Sequence, residues 1–235
     1  CLYCALWALA VGLGDGKVWA YALSGLCLGL AYLARPEGIV WLAAFAVLFL
    51  AIWAWRRQLW RWRSLASLAV YLAAFVIVAA PYALFLHAET GRWMATGKLS
   101  ITYDISEAVM EQDPVLYDKV TASLDSATGE VLWWSSDRFE RSIIDVFLEN
   151  PRQFLARTWV NLKWMKAVVF TSAILPIFLL APILLGWFRA PWDRRRLESE
   201  ALLWFVALPV LSFLPFHVEV RFFSPAFPVL VIWVA

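Results

Sequence analysis

The stretch GIVWLAAFAVLFLAIWAW, residues 38–55, runs for 18 residues without an ionisable side chain. At a rise of about 1.5 Å per residue, a helix of this length reaches across a bilayer core about 30 Å thick. The apolar run is continuous and does not alternate with polar residues, which favours a helix over a barrel strand. The sequence therefore predicts a membrane-spanning helix here.

Apolar segments of the same kind recur along the whole chain. Hydrophobic residues make up 63% of the sequence and charged residues 16%, against about 25% charged in a typical soluble domain. The predicted spans are 1–14, 18–34, 38–55, 64–86, 167–188, 201–216 and 222–235. The fold class is therefore predicted as all-α, a polytopic transmembrane helix bundle of about seven spans. Since the first and last runs reach the ends of the sequence, we expect an internal fragment with these two spans truncated.

Two arginine-rich connections set the predicted orientation. They are WRRQLWRWR, residues 55–63, and FRAPWDRRR, residues 188–196. Cytoplasmic loops carry an excess of Lys and Arg, so both connections are predicted to lie inside. The turn at 35–38, the long segment 87–166 and the link 217–221 then lie outside. The chain is predicted to divide into four spans in 1–86, an external segment in 87–166 and three spans in 167–235.

The external segment is mixed in character. It contains nine Lys or Arg and twelve Asp or Glu, and its second half is predicted to be helical. Asp137 and Glu140 have the spacing of a capping box, and Asn150 followed by Pro151 predicts a new helix start. The net charge of +2 is too small to indicate nucleic acid as a partner.

Arg35 and Glu37 are the only charges between Lys17 and Arg56. One interpretation is a tight external turn, with Pro36 and Gly38 breaking the helix and both charges in the headgroups. The other is an anion site, in which the guanidinium binds a lipid phosphate and the carboxylate holds it or contacts a sugar hydroxyl. From this motif alone the turn is the stronger interpretation.

Four further residues are candidates for substrate binding on the outer side. His217, Glu219 and Arg221 alternate in HVEVR and share one side if the link is extended. Lys98 follows Gly97 at the level where a lipid phosphate would lie. His-x-Glu resembles metal-ligand spacing, but two ligands without a third do not make a metal site. We therefore expect neither a metal nor a cofactor.

Two stretches resemble the GT-C superfamily of membrane glycosyltransferases. GLCLGLAYLARPEGIVWL, residues 25–42, resembles the helix that ends in Arg/Lys-Pro-x-Gly before the next span. HVEVRFFSPAFPVLVI, residues 217–232, resembles the late stretch in which an Arg–aromatic pair precedes two prolines. The similar branch is the bacterial one, related to protein O-mannosyltransferases and to the aminoarabinose transferase of lipid A.

The resemblance implies an enzyme of the bacterial inner membrane. It would take a sugar from a polyprenyl-phosphate carrier and pass it, with inversion, to a protein, lipid or polysaccharide acceptor outside. Arg35 and Glu37 match the Arg/Lys-Pro-x-Gly positions, and Arg221 the Arg–aromatic position, with Phe222 where Tyr is usual. The family's catalytic carboxylate is expected upstream of Cys1, so the fragment alone is expected to be inactive.

Two other functions remain open from the sequence. One is a transporter or flippase of lipid-linked glycans, and the other is a non-catalytic membrane assembly subunit. Ion-coupled transporters usually place charged residues at membrane depth, whereas the seven apolar segments contain no Asp, Glu, Lys, Arg or His. The long external segment favours the enzyme, because an acceptor must be held outside the membrane.

Overall fold

The computed structural model describes most of the chain. The described residues are 1–91, 93–96, 102–103, 105–106, 108, 115, 117, 121–124, 131–133, 143–170, 174–189, 191–216 and 218–234.

This part of the chain is largely helical and includes one short β-ribbon. The α-helices with defined bounds are α1 (Leu2–Asp15), α2 (Val18–Ala34), α3 (Gly38–Trp55), α4 (Trp62–Thr90), α5 (Ile143–Glu149), α6 (Pro151–Val169), α7 (Leu180–Arg189), α8 (Arg194–Ala207) and α9 (Phe227–Val234). Short 3₁₀ helices cover Ile177–Leu179, Leu208–Phe213 and Val220–Phe223. The antiparallel ribbon pairs β1 (Ala122–Leu124) with β2 (Val131–Trp133).

Two of the described helices are long and apolar enough to cross a membrane. They are Gly38–Trp55 and Trp62–Glu89, while Leu2–Asp15, Val18–Ala34 and Ile177–Phe188 are apolar but shorter. Only 39% and 22% of the most apolar windows of the two long helices are buried. The apolar helical character predicted from the sequence is confirmed, and the count of seven spans stays a prediction.

The chain forms two compact units. The first contains residues 1–85, 175–211 and 223–235, and the second contains residues 86–174 and 212–222. The predicted division at residues 86 and 166 concerns membrane segments and stays a prediction.

Close approach of α2 to α4 shapes the first unit. A Cβ atom on Gly25 would lie 2.2 Å from the backbone oxygen of Tyr71, and one on Gly29 would lie 2.7 Å from Val78 Cβ. Small residues allow helix backbones to approach in this way. The Tyr71 hydroxyl also donates to the backbone oxygen of Leu42 at 2.9 Å, which connects α4 to α3.

The fifth apolar segment differs from the continuous helix predicted over 167–188. Helix α6 ends at Val169, and α7 begins at Leu180 after Pro176 and a short 3₁₀ helix. Proline removes a backbone donor and clashes with the preceding helical turn, so it disfavours an unbroken helix. The predicted start at Asn150 is confirmed, because its side chain accepts a hydrogen bond from the Gln153 backbone N–H. Asp137 and Glu140 lie outside the described residues.

Candidate functional site

The turn between α2 and α3 positions the first candidate pair. Arg35 has an extended backbone, with φ −149° and ψ 121°, as expected of a residue before proline. The Gly38 N–H donates to the Arg35 carbonyl at 2.9 Å, and the Val40 N–H donates to the Glu37 carbonyl at 2.9 Å. The turn thus leads directly into α3, with Glu37 at its N-terminus.

Gly38 is required by this turn. A Cβ atom at this position would lie 2.5 Å from the backbone nitrogen of Tyr32 and 2.7 Å from its Cα. Both are backbone atoms of the helix that the chain has just left, so they cannot move aside cheaply. The glycine fixes the turn close to the end of α2, and so fixes the backbone that carries Arg35 and Glu37.

The side chains of Arg35 and Glu37 form a loose ion pair. The Arg35 Nε atom lies 3.7 Å from Glu37 Oε2, which is too long for a hydrogen bond. The Arg35 side chain is 50% exposed and that of Glu37 is 32% exposed. Glu37 Oε2 itself is buried and accepts no hydrogen bond from the described residues. A buried carboxylate oxygen normally has a donor, so this atom is suited to a ligand hydroxyl.

The second candidate pair is Glu219 with Arg221. Arg221 Nε contacts Glu219 Oε2, and the Arg221 side chain is 68% exposed. The guanidinium lies over the ring of Phe222, 5.3 Å from its centroid. Phe222 stacks in turn on Phe213, with centroids 4.5 Å apart and planes 6° from parallel. The carboxylate and the ring both constrain the guanidinium while leaving most of it accessible.

Asn161 on α6 holds the segment that carries this second pair. Its side-chain Nδ2 donates to the backbone oxygens of Leu214 and Phe216, both at 2.8 Å. The asparagine is buried, so its two amide hydrogens satisfy two carbonyls away from water. One turn earlier, Arg157 is also buried, and its guanidinium lies 4.1 Å from the Tyr103 ring centroid.

The structure thus brings Arg35 to Glu37 in the first unit and Glu219 to Arg221 in the second. Lys98 and His217 lie outside the described residues. Sequence reasoning missed Asn161, because an asparagine within a helical stretch gives no sign of which distant carbonyls it reaches.

A different ion pair joins the connection at 55–63 to the start of α8. Arg56 Nε donates to Glu198 Oε1 at 3.0 Å, and Arg56 Nη2 donates to Oε2 of the same carboxylate. Arg56 Nη1 donates to the Leu13 backbone oxygen at 2.6 Å, and Arg194 Nε reaches Glu198 Oε1 at 3.4 Å. These contacts bring the ends of α1 and α3 and the start of α8 together within the first unit.

This pairing shifts the pKa of both partners. The hydrogen bond from Arg56 holds the pKa of the Glu198 carboxyl below its usual value of 4.5. The same hydrogen bond raises the pKa of Arg56. Both side chains are about a quarter exposed, at 22% and 24%. The pair is therefore ionised, partly desolvated and bidentate, a geometry that suits a structural role.

Comparison with known proteins adds no assignment. No protein-family model, no curated protein and no solved structure matches this chain.

Proposed function

We propose that this chain is part of a membrane-embedded glycosyltransferase that uses a polyprenyl-phosphate-linked sugar. In this proposal the chain forms a bundle of about seven spans in the bacterial inner membrane. The segment 87–166 lies on the periplasmic or extracellular side, where the acceptor is a protein, a lipid or a polysaccharide.

The observation that carries the proposal is the pair at the α2–α3 turn. A half-exposed guanidinium stands beside a carboxylate with one buried oxygen, at the junction of two apolar helices. A polyprenyl-phosphate-linked sugar would supply a partner for both side chains: the phosphate binds Arg35, and a sugar hydroxyl donates to Glu37 Oε2. Arg35, at 3.7 Å, meets that oxygen as an ion-pair partner but not as a hydrogen-bond donor.

The proposed chemistry needs positive charge near the leaving group. Transfer breaks the bond between the anomeric carbon and the phosphate oxygen, and forms a bond to the acceptor oxygen. The acceptor proton passes to a carboxylate base, and negative charge develops on the departing lipid phosphate. A positioned guanidinium stabilises that charge in the transition state. We assign this stabilising role to Arg35, whose guanidinium is positioned by Glu37.

Arg221, in the second unit, is also proposed to bind an anionic group of the substrate. Its Nε atom already faces Glu219, so an incoming phosphate would bind the two Nη groups at the other end of the guanidinium. Stacking on Phe222 limits the conformations that such binding must order.

The exposure of the two long helices supports the membrane placement. The core helix of a soluble protein is mostly buried, whereas only 39% and 22% of the most apolar windows of α3 and α4 are buried. Apolar surface of that extent requires a covering, and lipid is the covering that helices of this length fit.

A transfer assay with the full-length protein in proteoliposomes tests the proposal. We expect Arg35→Gln to lower the rate of transfer from polyprenyl-phosphate sugars by about 100-fold, the usual cost of one lost oxyanion donor. Arg35→Lys should recover part of the rate, because a lysine supplies charge without the bidentate geometry. Arg221→Gln should lower the rate as well.

Lys17→Gln is the matched control. Lys17 is a half-exposed cation paired with Asp15 between α1 and α2, at the opposite end of α2 from Arg35, so its loss should leave transfer unchanged. Wild-type transfer by both Arg35→Gln and Arg221→Gln would overturn the assignment of these residues. Movement of the donor across the bilayer without any transfer would instead favour a flippase.

A further inference from the structure

A second feature of the first unit is the arginine-rich connection between α3 and α4, taken here as residues 55–63. It joins Gly38–Trp55 to Trp62–Glu89, the two described helices that are long enough to cross a membrane. If both helices cross, this short connection must lie at the boundary between lipid headgroups and water.

The backbone at the end of α3 places Arg57 in an unusual conformation. The Gln58 N–H donates to the Trp53 carbonyl at 2.7 Å, and the Arg57 N–H donates to the Ala54 carbonyl at 3.0 Å. These two bonds form a Schellman cap, in which the residue at the position of Arg57 is usually glycine. Arg57 has a φ of 55°, a left-handed conformation that costs a residue with a side chain free energy. The backbone alone thus favours glycine over arginine here.

The side chains of this connection are strongly exposed and of two kinds. Arg57, Arg61 and Arg63 are all exposed, and in the described ranges no carboxylate pairs with any of them. Trp60 and Trp62 are 86% and 81% exposed. The neighbouring Arg56 differs, because Glu198 and the Leu13 carbonyl hold it. Of the four arginines in residues 55–63, Arg56 is therefore structural, and the other three present their charge outward.

A surface cavity lies among these side chains. Its volume is about 430 Å³, and it is lined by Ala54, Arg57, Leu59, Trp60 and Arg61. Two guanidinium groups and an indole thus border one concave surface, which suits a ligand with an anionic group and an apolar or hydroxylated part.

We propose that this connection binds the phosphate groups of anionic phospholipids in the adjacent leaflet. Guanidinium groups bind phosphate bidentately, and indole rings prefer the headgroup level of a bilayer. Each basic residue near an anionic leaflet strengthens binding by about fivefold. The inference rests on the proposed membrane insertion but not on sugar transfer, since this connection is at the other end of α3 from Arg35.

Lipid retention tests the inference in the full-length protein. The protein is reconstituted in nanodiscs of mixed phosphatidylglycerol and phosphatidylcholine, released into detergent, and its retained lipids are counted by native mass spectrometry. We expect Arg57→Gly to lower the preference for phosphatidylglycerol by about fivefold. The thermal midpoint should not fall, because glycine suits a φ of 55°.

A combined Arg57→Gly, Arg61→Gln and Arg63→Gln variant should lower the preference by about 100-fold. Lys17→Gln should change it by less than about twofold, because Asp15 pairs with that lysine at 2.8 Å and offsets its charge. A combined variant with wild-type preference would overturn the inference. Failure of the protein to enter nanodiscs would overturn it together with the membrane placement. The full-length protein could show no sugar transfer while the combined variant still loses its preference for phosphatidylglycerol. That result would support lipid binding by this connection and contradict only the proposed transferase activity.

Discussion

Helix α3 has an arginine–glutamate pair at each end, and the two pairs are built differently. Before the helix, Arg35 and Glu37 are two residues apart, stand 3.7 Å from each other and are half to one-third exposed. After the helix, Arg56 reaches Glu198 on α8 through two hydrogen bonds, and both side chains are about a quarter exposed.

The difference indicates two separate roles. Three of the five N–H donors of Arg56 bond a carboxylate and a helix-terminal carbonyl, so its guanidinium is held in place by other parts of the protein. At the other end, Glu37 retains a buried oxygen that no described residue satisfies. We therefore assign stability to the Arg56 pair and ligand binding to the Arg35 pair. The following predictions separate the two roles.

The largest expected effect on stability is that of Arg56→Gln. It removes a partly buried cation, leaves Glu198 with Arg194 as its remaining partner among the described residues and uncaps the Leu13 carbonyl. We expect a loss of about 3 kcal/mol in the free energy of unfolding, near the lower end for breaking a buried ion pair. Denaturant titration in mixed micelles measures it.

Lys17→Gln serves as the control for this measurement too. Lys17 pairs with Asp15 at 2.8 Å, but both side chains are half exposed. An exposed pair of this kind contributes about 0.5 kcal/mol or less. Equal losses in Arg56→Gln and Lys17→Gln would contradict a structural role for the Arg56 pair.

Gly38→Ala should have the next largest effect. The added Cβ would lie 2.5 Å from the Tyr32 backbone nitrogen, so the turn must shift. We expect a loss of about 2 kcal/mol in stability, in the range found for overpacking, and a lower transfer rate per folded molecule. Gly14→Ala is the control, because nothing lies within 4 Å of a Cβ at that position. Similar behaviour of the two variants would show that the turn is not held by Gly38.

Acidification should have the smallest effect. The folded-state pKa of Glu198 is lowered by its hydrogen bond with Arg56, so the pair stabilises the protein fully above the usual carboxyl pKa near 4.5. That contribution is lost as the pH falls through the lowered folded-state value. Thermal midpoints measured from about pH 6 to about pH 3 should fall less steeply in Glu198→Gln than in the wild type. Parallel pH profiles would contradict the predicted linkage.

Local features of the fold were predictable from the sequence where a run of apolar residues ends at a charge or a proline. Helices α2 and α3 have the predicted bounds, because Lys17, Arg35 and Arg56 border uninterrupted apolar runs. The cap at Asn150 was predictable for the same reason, since capping depends on neighbouring residues only. The break between α6 and α7 was not predicted, although Pro176 was visible within the apolar segment.

Contacts between distant residues could not be predicted. Arg56 and Glu198 are 142 positions apart, and Asn161 reaches carbonyls 53 and 55 positions away. Such pairs depend on tertiary packing, which leaves no local pattern in a single sequence. The pairing of Arg35 with Glu37 is close in sequence, but only the structure shows that one carboxylate oxygen is buried.

The most direct test measures transfer and stability on the same two variants, Arg35→Gln and Arg56→Gln, in the full-length protein. We predict that Arg35→Gln keeps its free energy of unfolding within about 0.5 kcal/mol of the wild type and loses about 100-fold in transfer per folded molecule. Arg56→Gln should lose about 3 kcal/mol of stability and keep its transfer per folded molecule. A stable Arg35→Gln variant with wild-type transfer would contradict the assignment of ligand binding to this end of α3.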